Sequence, residues 1–290
     1  MRFSIIVVTL NAGDKLKETV QSVLAQEFTD YEIVVKDGGS RDGSVEKLPQ
    51  DGRISVHVKG DKGIYDAMNQ AVALARGEYI LFLNCGDLLY DRAVLTRADG
   101  VISREEETRA KTAEVIAERE AAMVKADAVL PGSGRPLVVY GDTYGAKNQV
   151  MIAAPREING GICYRNIPCH QSCFYAAKLC KNKPYDLRFR IRADYDHFLW
   201  CYYQAKAKMV YLDGVVASYE GGGYSESKEN RRRDKAEHKM ITECYMSRGE
   251  LTKYRLLMAL SLAPLRSMLA ENRLTSGLYH GIKELVRKKG

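Results

Sequence analysis

Apolar runs and amphipathic segments alternate over the first part of the chain. SIIVVTL (4–10), YEIVVKD (31–37), ISVHVKG (54–60) and YILFLN (79–84) are runs typical of strands buried in a parallel sheet. Apolar positions at helical spacing predict one helix that begins and is capped at Asp14, and another from Ile64 to Ala75. This alternation predicts an α/β fold with βαβ units and right-handed crossovers.

The second part of the chain continues the pattern with longer elements. We predict strands at 136–144 and 209–220, helices at 101–127 and 191–204, and a mixed strand and loop at 161–175. The Gly221-Gly222-Gly223 run marks the end of the main domain. We therefore predict one domain over residues 1–225 and a helical C-terminal extension over residues 226–290.

Composition narrows the class of protein. The chain has 290 residues, of which 46% are hydrophobic and 28% are charged, a balance typical of soluble globular proteins. Its longest apolar runs fall short of the roughly 18 residues that span a bilayer. The seven cysteines form no CxxC pair, which disfavours a zinc site, and their odd number indicates reduced thiols and a cytoplasmic location.

The charge lies in the extension. Residues 226–290 carry 15 Lys/Arg and 8 Asp/Glu, a net charge of +7 that equals the charge of the whole chain, so residues 1–225 are neutral. Basic residues that flank apolar ones at 254–290 suit an interfacial helix on an anionic membrane surface, and hence a peripheral membrane location. The alternative is a helix that packs on the domain or on a second subunit of a homo-oligomer. No groove-reading motif supports binding to nucleic acid.

Polar residues follow the predicted strands at the edge where ligands bind in such sheets. Asp37 either hydrogen-bonds a base or ribose or braces the glycine-rich turn behind it. Asp87, after ILFL, could hold a divalent cation through its oxygen atoms. The residues at this edge are Thr9, Asn11, Asp37, Asn84 and Asp87.

Further candidates lie in the second half of the sequence. Asp194 and Asp196 lie on a predicted helix, where residues two apart diverge by about 200°, so only one carboxylate can face a cleft as a general base. The others are His170 with Gln171, which lack a triad partner, and the loop residues Gly222, Gly223 and Ser225, which could close over phosphates.

The order of these segments resembles that of the family 2 glycosyltransferases, inverting nucleotide-sugar-dependent enzymes of the GT-A fold. The resemblance runs from residue 3 to about residue 227 and rests on several segments together: SIIVVTLNAGDKLKETVQSVLAQ, YEIVVKDGGSRDGS, DKGIYDAMNQAVALARGEYILFLNCGD, VVYGD, CHQSCFY, ADYDHFL and GGGYS. It implies a Rossmann-like, mostly parallel sheet flanked by helices.

The resemblance also implies roles for individual residues. Thr9, Asn11 and Asp37 would bind the nucleotide base and ribose, and Asp66 and Asn69 would lie near the nucleotide and donor sugar. His170 and Gln171 would line the donor–acceptor cleft, and Gly222, Gly223 and Ser225 would form the diphosphate loop. Asn84 to Asp87 would occupy the place of the DxD metal motif, and Asp194 would be the base.

The sequence departs from the family pattern at several of these positions. The metal motif is Asn-Cys-Gly-Asp, so Asp87 would be the ligand of Mn²⁺ or Mg²⁺. Lys36-Asp37-Gly38 lacks the paired acids common after strand two, and Met68 stands where many members carry arginine. Ala193 precedes Asp194 in the acceptor motif, which leaves Asp196 as an alternative base. We favour Asp194 on motif position.

The expected function is transfer of a hexosyl or N-acetylhexosaminyl unit, with a UDP-sugar as the default donor. The expected acceptor is a saccharide or lipid-linked saccharide in polysaccharide assembly at the cell surface. A nucleotidyltransferase would carry a GxGxRxxP-type loop after strand one, and TLNAGDK is no such loop. The remaining alternative is a catalytically impaired, nucleotide-binding scaffold in a glycan-synthesis complex, which the altered metal motif leaves open.

Overall fold

The computed structural model describes residues 1–122, 135–221 and 230–260. Its strands, in chain order, are β1 (Phe3–Thr9), β2 (Tyr31–Asp37), β3 (Ile54–Val58), β4 (Tyr79–Phe82), β5 (Leu88–Leu89), β6 (Leu137–Gly145), β7 (Val150–Ile152), β8 (Cys173–Ala176) and β9 (Lys208–Tyr219). Its helices are α1 (Asp14–Leu24), α2 (Ile64–Val72), α3 (Val94–Ala122), α4 (Gly160–Arg165), α5 (Ala177–Asn182), α6 (Ala193–Tyr203), α7 (Asn230–Tyr245) and α8 (Arg248–Leu260).

One mixed sheet organises the strands, in the order β3-β2-β1-β4-β8-β6-β9-β5, with β7 paired to β6. The first four strands along the chain are parallel to one another, as βαβ units require. β8 pairs antiparallel with β4 and β6, whereas β9 runs parallel to β6. The α/β fold with a mostly parallel half-sheet flanked by helices is confirmed.

The β-branched runs form strands because both of their faces are covered. Every residue of β1, β2 and β4 is buried. α1 and α2 pack their apolar residues against this half-sheet, and Leu16, Val20 and Val23 of α1 have no exposed surface. The C-terminal ends of β1, β2 and β4 therefore lie at one edge, where polar loops leave the core.

Several predicted elements differ in the structure. α1 begins at Asp14, but Gly13 is its N-cap, and the carboxylate of Asp14 pairs with Lys47 at 2.7 Å instead of capping the helix. The predicted strand and loop at 161–175 contains α4 and a 3₁₀ turn, His170–Ser172, before β8 begins. Asn159 caps α4 by accepting the N–H of Ile162, a local bond that strand patterning does not register.

The described chain forms two compact units, Met1–Ile241 and a second that begins at Thr242. The predicted boundary after residue 225 falls among residues 222–229, outside the described residues, and stays a prediction. Residues 230–241 belong to the first unit. Over 1–122, 135–221 and 230–260, no helix has the length and apolar character needed to cross a membrane.

Candidate active site

A cleft of about 440 Å³ lies where the loop after β4, the 3₁₀ turn before β8, the start of α6 and the end of β9 meet. Residues far apart in the sequence, from Ile64 to Gly221, line it, and the pairing of β4 with β8 brings two of the segments together. The candidates from the sequence that the cleft brings together are Asn84, Asp87, His170, Gln171 and Asp194.

Asp194, the second residue of α6, is held by two side chains. Its Oδ1 accepts a hydrogen bond from the Tyr65 hydroxyl at 2.9 Å, and its Oδ2 lies 3.4 Å from Nδ1 of His170. The other ring nitrogen of His170, Nε2, lies 3.2 Å from Nδ2 of Asn84. A continuous chain of polar contacts therefore joins the loop after β4 to the start of α6.

The surroundings of Asp194 favour its ionised form. Burial alone would raise its pKa, but the hydrogen bond and charge of His170, followed by the hydrogen bond from Tyr65, outweigh burial and hold the pKa of Asp194 below its ordinary value. Burial and the neighbouring Asp194 charge raise the pKa of Tyr65 well above its ordinary value, so its hydroxyl stays a donor. Asp194 therefore stays an ionised carboxylate at neutral pH.

Asp196 points elsewhere. Its side chain is buried, and its Oδ2 lies 3.1 Å from Nζ of Lys183. Asp196 does not line the cleft, which agrees with the divergence of residues two apart on a helix. Of the two acidic candidates on α6, only Asp194 lies at the cleft.

The turn after β4 is shaped by contacts from two other elements. Gly86 has a φ of 98°, and its N–H donates to the Thr19 hydroxyl at 3.0 Å. That hydroxyl donates in turn to the carbonyl oxygen of Asp87 at 2.9 Å. The positive φ of Gly86 favours glycine, whereas a Cβ there would meet only the end of the Glu220 side chain, which can move aside.

Asp87 is a buried carboxylate in a negative environment. It is 3% exposed, and its Oδ1 accepts the N–H of Glu220 at 3.0 Å. Burial, with a further contribution from the Glu220 charge, raises the pKa of Asp87 to about 6, against the opposing effects of that N–H and of His170. The Glu220 carboxylate lies at the cleft and pairs with Lys15 at 2.6 Å.

The oxygen atoms around this turn fit a hard divalent cation. Two carboxylates, Asp87 and Glu220, lie beside Asn84, whose Oδ1 is buried and has no hydrogen-bond partner in the described parts of the chain. Those parts contain no group of three or more His, Cys, Asp or Glu side chains that could hold a metal ion. A site with few protein carboxylates is the usual arrangement for Mg²⁺, whose other ligands are waters and substrate phosphates.

Thr9, Asn11 and Asp37 lie together at the ends of β1 and β2, outside the lining of the cleft. Asp37 Oδ2 accepts the N–H of Ser40 at 2.9 Å, and its Oδ1 accepts the Ser40 hydroxyl at 2.5 Å. Asn11 Oδ1 accepts the N–H of Arg41 at 2.9 Å. Asp37 therefore braces the glycine-rich turn, one of the two alternatives weighed from the sequence.

Asp66 and Asn69 also make contacts within the fold. Asp66 accepts the N–H of Lys62 at 2.8 Å, and Asn69 exchanges two hydrogen bonds, of 2.8 and 2.9 Å, with the backbone of Tyr185. Neither side chain lines the cleft that contains Asp194. The predicted diphosphate-loop residues lie outside the described residues: Gly222, Gly223 and Ser225.

Sequence reasoning missed Tyr65 and Glu220, which both line the cleft. Tyr65 stands within the quoted segment DKGIYDAMN, and Glu220 directly follows a strand at the edge already considered for ligands, so both positions carried a signal.

Cys85 lines the cleft, but burial raises the pKa of its thiol to about 11, so it remains protonated.

Comparisons with known proteins place this geometry in a family. Residues 4–104 match the model of glycosyl transferase family 2. Over 230 residues the chain is 34% identical to the PGL/p-HBAD biosynthesis glycosyltransferase of Mycobacterium tuberculosis, a match that covers 77% of this chain and 78% of that protein. The chain belongs to glycosyl transferase family 2. It is a glycosyltransferase of the type that acts in bacterial glycan biosynthesis.

Solved structures show the same GT-A fold. Residues 1–349 of S. aureus TarS in complex with UDP superpose with a TM-score of 0.61 at 16% identity, covering 94% of this chain and 76% of that one. The mannosyltransferase PcManGT from Pyrobaculum calidifontis, in complex with GDP-Man and Mn²⁺, superposes with a TM-score of 0.60 at 13% identity, covering 96% and 83%. The match to the longer TarS chain spans 37% of that chain.

Proposed function

We propose that this glycosyltransferase moves a hexosyl or N-acetylhexosaminyl unit from a UDP-sugar to an acceptor hydroxyl with inversion. Asp194 takes the hydroxyl proton as the acceptor oxygen bonds to the anomeric carbon. The bond between that carbon and the diphosphate oxygen breaks, and the nucleoside diphosphate leaves with the electron pair. One displacement of this kind needs no covalent intermediate.

The observation that carries the proposal is the presence of Asp194 and Asp87 in the lining of one cleft. Both side chains line it, and their surroundings push their pKa values in opposite directions, below the ordinary value for Asp194 and up to about 6 for Asp87. Divergent pKa values in one cleft are typical of acidic residues with different roles. Asp194 serves as the proton acceptor, and Asp87 lies where the diphosphate would be bound.

The matched variants Asp194→Asn and Asp196→Asn test the assignment. A general base typically contributes about 10²- to 10⁴-fold to a rate, so Asp194→Asn should lower kcat by at least about 10². Asp196→Asn should keep kcat near the wild-type value, because the Asp196 side chain pairs with Lys183 and does not line the cleft. The rate of nucleoside diphosphate release gives kcat for both variants. The reverse order of effects would move the base to Asp196, and equal activity in both variants would leave neither as the base.

Asp87, Glu220 and the amide oxygen of Asn84 would hold Mn²⁺ or Mg²⁺, which would neutralise charge on the diphosphate when bound. Titration calorimetry with UDP, GDP and dTDP, with and without either ion, should give metal-dependent binding of UDP that Asp87→Ala abolishes. Tighter binding of GDP or dTDP would change the proposed base of the donor. Nucleotide binding without any sugar transfer would favour the scaffold function.

A second cavity supports the proposed acceptor class, a saccharide attached to an apolar or lipid group. This cavity, of about 550 Å³, shares Ile64, Tyr65 and Arg190 with the cleft and adds the apolar side chains of Leu187 and Phe189. Its lining also includes Lys62 and Asp66, and Tyr65, which hydrogen-bonds Asp194, belongs to both cavities. The apolar part of this lining would bind the group that carries the accepting hydroxyl. Leu187→Ser should then raise the acceptor KM and leave the donor KM unchanged.

The C-terminal extension is the proposed contact with an anionic membrane surface. In α8, Leu256, Leu257 and Leu260 are exposed beside Arg255. Most of the basic and apolar segment on which the prediction rests, residues 261–290, lies outside the described residues. At low salt, the full chain should co-sediment with vesicles that contain phosphatidylglycerol. Equal binding to neutral phosphatidylcholine vesicles would refute the electrostatic part of the proposal.

A further inference from the structure

Glu237 of α7 is buried and holds the backbone that leads into α6. Its side chain is 3% exposed. Its Oε1 accepts the N–H of Arg190 at 3.0 Å, and its Oε2 accepts the N–H groups of Ile191 and Arg192 at 3.0 and 2.9 Å. Three successive N–H groups thus converge on one carboxylate, a strong, charge-assisted arrangement. Asp194 follows this segment by two residues.

The residues that lead into α6 hydrogen-bond to this distant carboxylate. Arg192 is the N-cap residue of α6, and its side chain makes no capping hydrogen bond. It forms an ion pair with Asp234 of α7 instead, with 2.7 Å between Nε and Oδ1. Helices usually obtain an oxygen acceptor for their first N–H groups from a residue at their own N-terminus. Here the acceptor for the residues that lead into the helix comes from α7, more than forty positions along the chain.

The same segment is held on its other side by Tyr65. The Tyr65 hydroxyl lies 2.7 Å from the carbonyl oxygen of Ile191 and 2.9 Å from Oδ1 of Asp194. The single hydroxyl proton of Tyr65 is shared between these two acceptors, so Ile191 is held through its N–H by Glu237, and its carbonyl oxygen shares the Tyr65 proton with Asp194. A shift of this residue would move Asp194 relative to both Tyr65 and His170.

We infer that Glu237 is a positioning residue for Asp194, acting through the backbone of Arg190, Ile191 and Arg192. The inference rests on the proposed function, in which Asp194 is the base. It assigns to residues of the charged segment after position 225 a part in building the active site. Glu237 does not line the cleft, so its loss should affect turnover more than donor binding.

Glu237→Gln tests the inference, with Glu243→Gln as the matched control at an exposed position of the same helix. The amide keeps one acceptor oxygen but turns an NH₂ group toward backbone donors. Because misplacement of a reacting group by about 1 Å can cost up to 10²-fold in rate, we expect kcat to fall about tenfold, with the donor KM within about twofold. Glu243→Gln should match the wild type. Loss of thermal stability with unchanged kcat would overturn the inference.

A double-mutant cycle with Tyr65→Phe separates positioning from general destabilisation. If Glu237 and Tyr65 both act through Ile191, the fold-decrease in kcat of the double variant should be smaller than the product of the fold-decreases of the two single variants. Multiplicative losses would mean that the two residues act independently and would overturn the inference.

Hydrogen exchange of the amides of residues 190–192 gives a readout that does not need activity. Exchange should be faster in Glu237→Gln and unchanged in Glu243→Gln, and unchanged exchange in Glu237→Gln would overturn the inference. Failure of the proposed function has a different signature, namely full turnover in Asp194→Asn or no turnover in the wild type. In those cases exchange still decides whether Glu237 holds the start of α6.

Discussion

Lys36 offers the sharpest test of how the edge of the sheet is stabilised. Its side chain is 1% exposed at the end of β2. Its Nζ donates to the carbonyl oxygens of Asp37 at 3.1 Å and Lys59 at 2.5 Å, and to Oδ2 of Asp61 at 3.1 Å. An ammonium group has three hydrogens, so its donor capacity is filled. Lys36→Met keeps the length of the side chain and removes all three bonds.

The expected loss follows from the burial of the pair. Removing one partner of a buried ion pair costs about 3–5 kcal/mol. The Asp61 side chain is 13% exposed and can regain some hydration, so we take the lower end, about 3 kcal/mol. With a slope of about 2–3 kcal/mol per molar urea, the unfolding midpoint should fall by about 1 M.

Urea unfolding followed by circular dichroism measures this loss, and Lys59→Met is the control at an exposed position. The control should change the free energy of unfolding by less than about 0.5 kcal/mol. Lys36→Met with Asp61→Asn should recover part of the loss, because the second change removes the unpaired charge. A free energy for Lys36→Met within about 0.5 kcal/mol of the wild type would refute the reasoning.

Two further predictions concern the turn after β4. Because the pKa of Asp87 is raised to about 6, the group binds a proton as pH falls through that value, and metal-dependent UDP binding should weaken by about tenfold from pH 7.5 to pH 5. Calorimetry at the two pH values measures this, and a flat profile would contradict it. Gly86→Ala should weaken metal-dependent UDP binding, because alanine is strained at a φ of 98° and would shift the turn that carries Asp87. Gly52→Ala, which adds a Cβ in open space, should bind as the wild type does, and equal binding in both variants would argue against the effect of strain at Gly86.

Hydrophobic periodicity predicted the parallel half-sheet because burial on both faces leaves a continuous apolar run in the sequence. YEIVVKD became β2 with the predicted bounds, although its lysine is also buried. The hydrophobic pattern of a strand predicts which residues are buried, but it does not predict which group pairs with a buried charge. Asp61 lies beyond the next strand, and only the folded loop brings it to Lys36.

The sequence predicted residues that form the site, but it did not predict their hydrogen-bond and ion-pair partners. Helical geometry allowed only one of Asp194 and Asp196 to face a cleft, and it could not say which one. The choice is made by packing, since Lys183 approaches Asp196 and Tyr65 approaches Asp194. Tyr65 is separated from Asp194 by 129 positions, so no local pattern reports the contact. Glu237 was hidden for the same reason in a segment interpreted only as a basic tail.

The antiparallel pairing of β4 with β8 sets how insertions and deletions act on this enzyme. Leu81 pairs with Phe174, and continuing this register sets Asn84 opposite Gln171, next to His170, whose Nε2 lies 3.2 Å from Nδ2 of Asn84. A slip by two residues would keep every apolar side chain on its own face yet displace His170 by about 6–7 Å. Changes of length between β4 and Asn84, or between His170 and β8, should therefore abolish transfer while sparing the core. The exposed connection between β6 and β7 should accept changes of length, so loop-length variation among relatives should concentrate there.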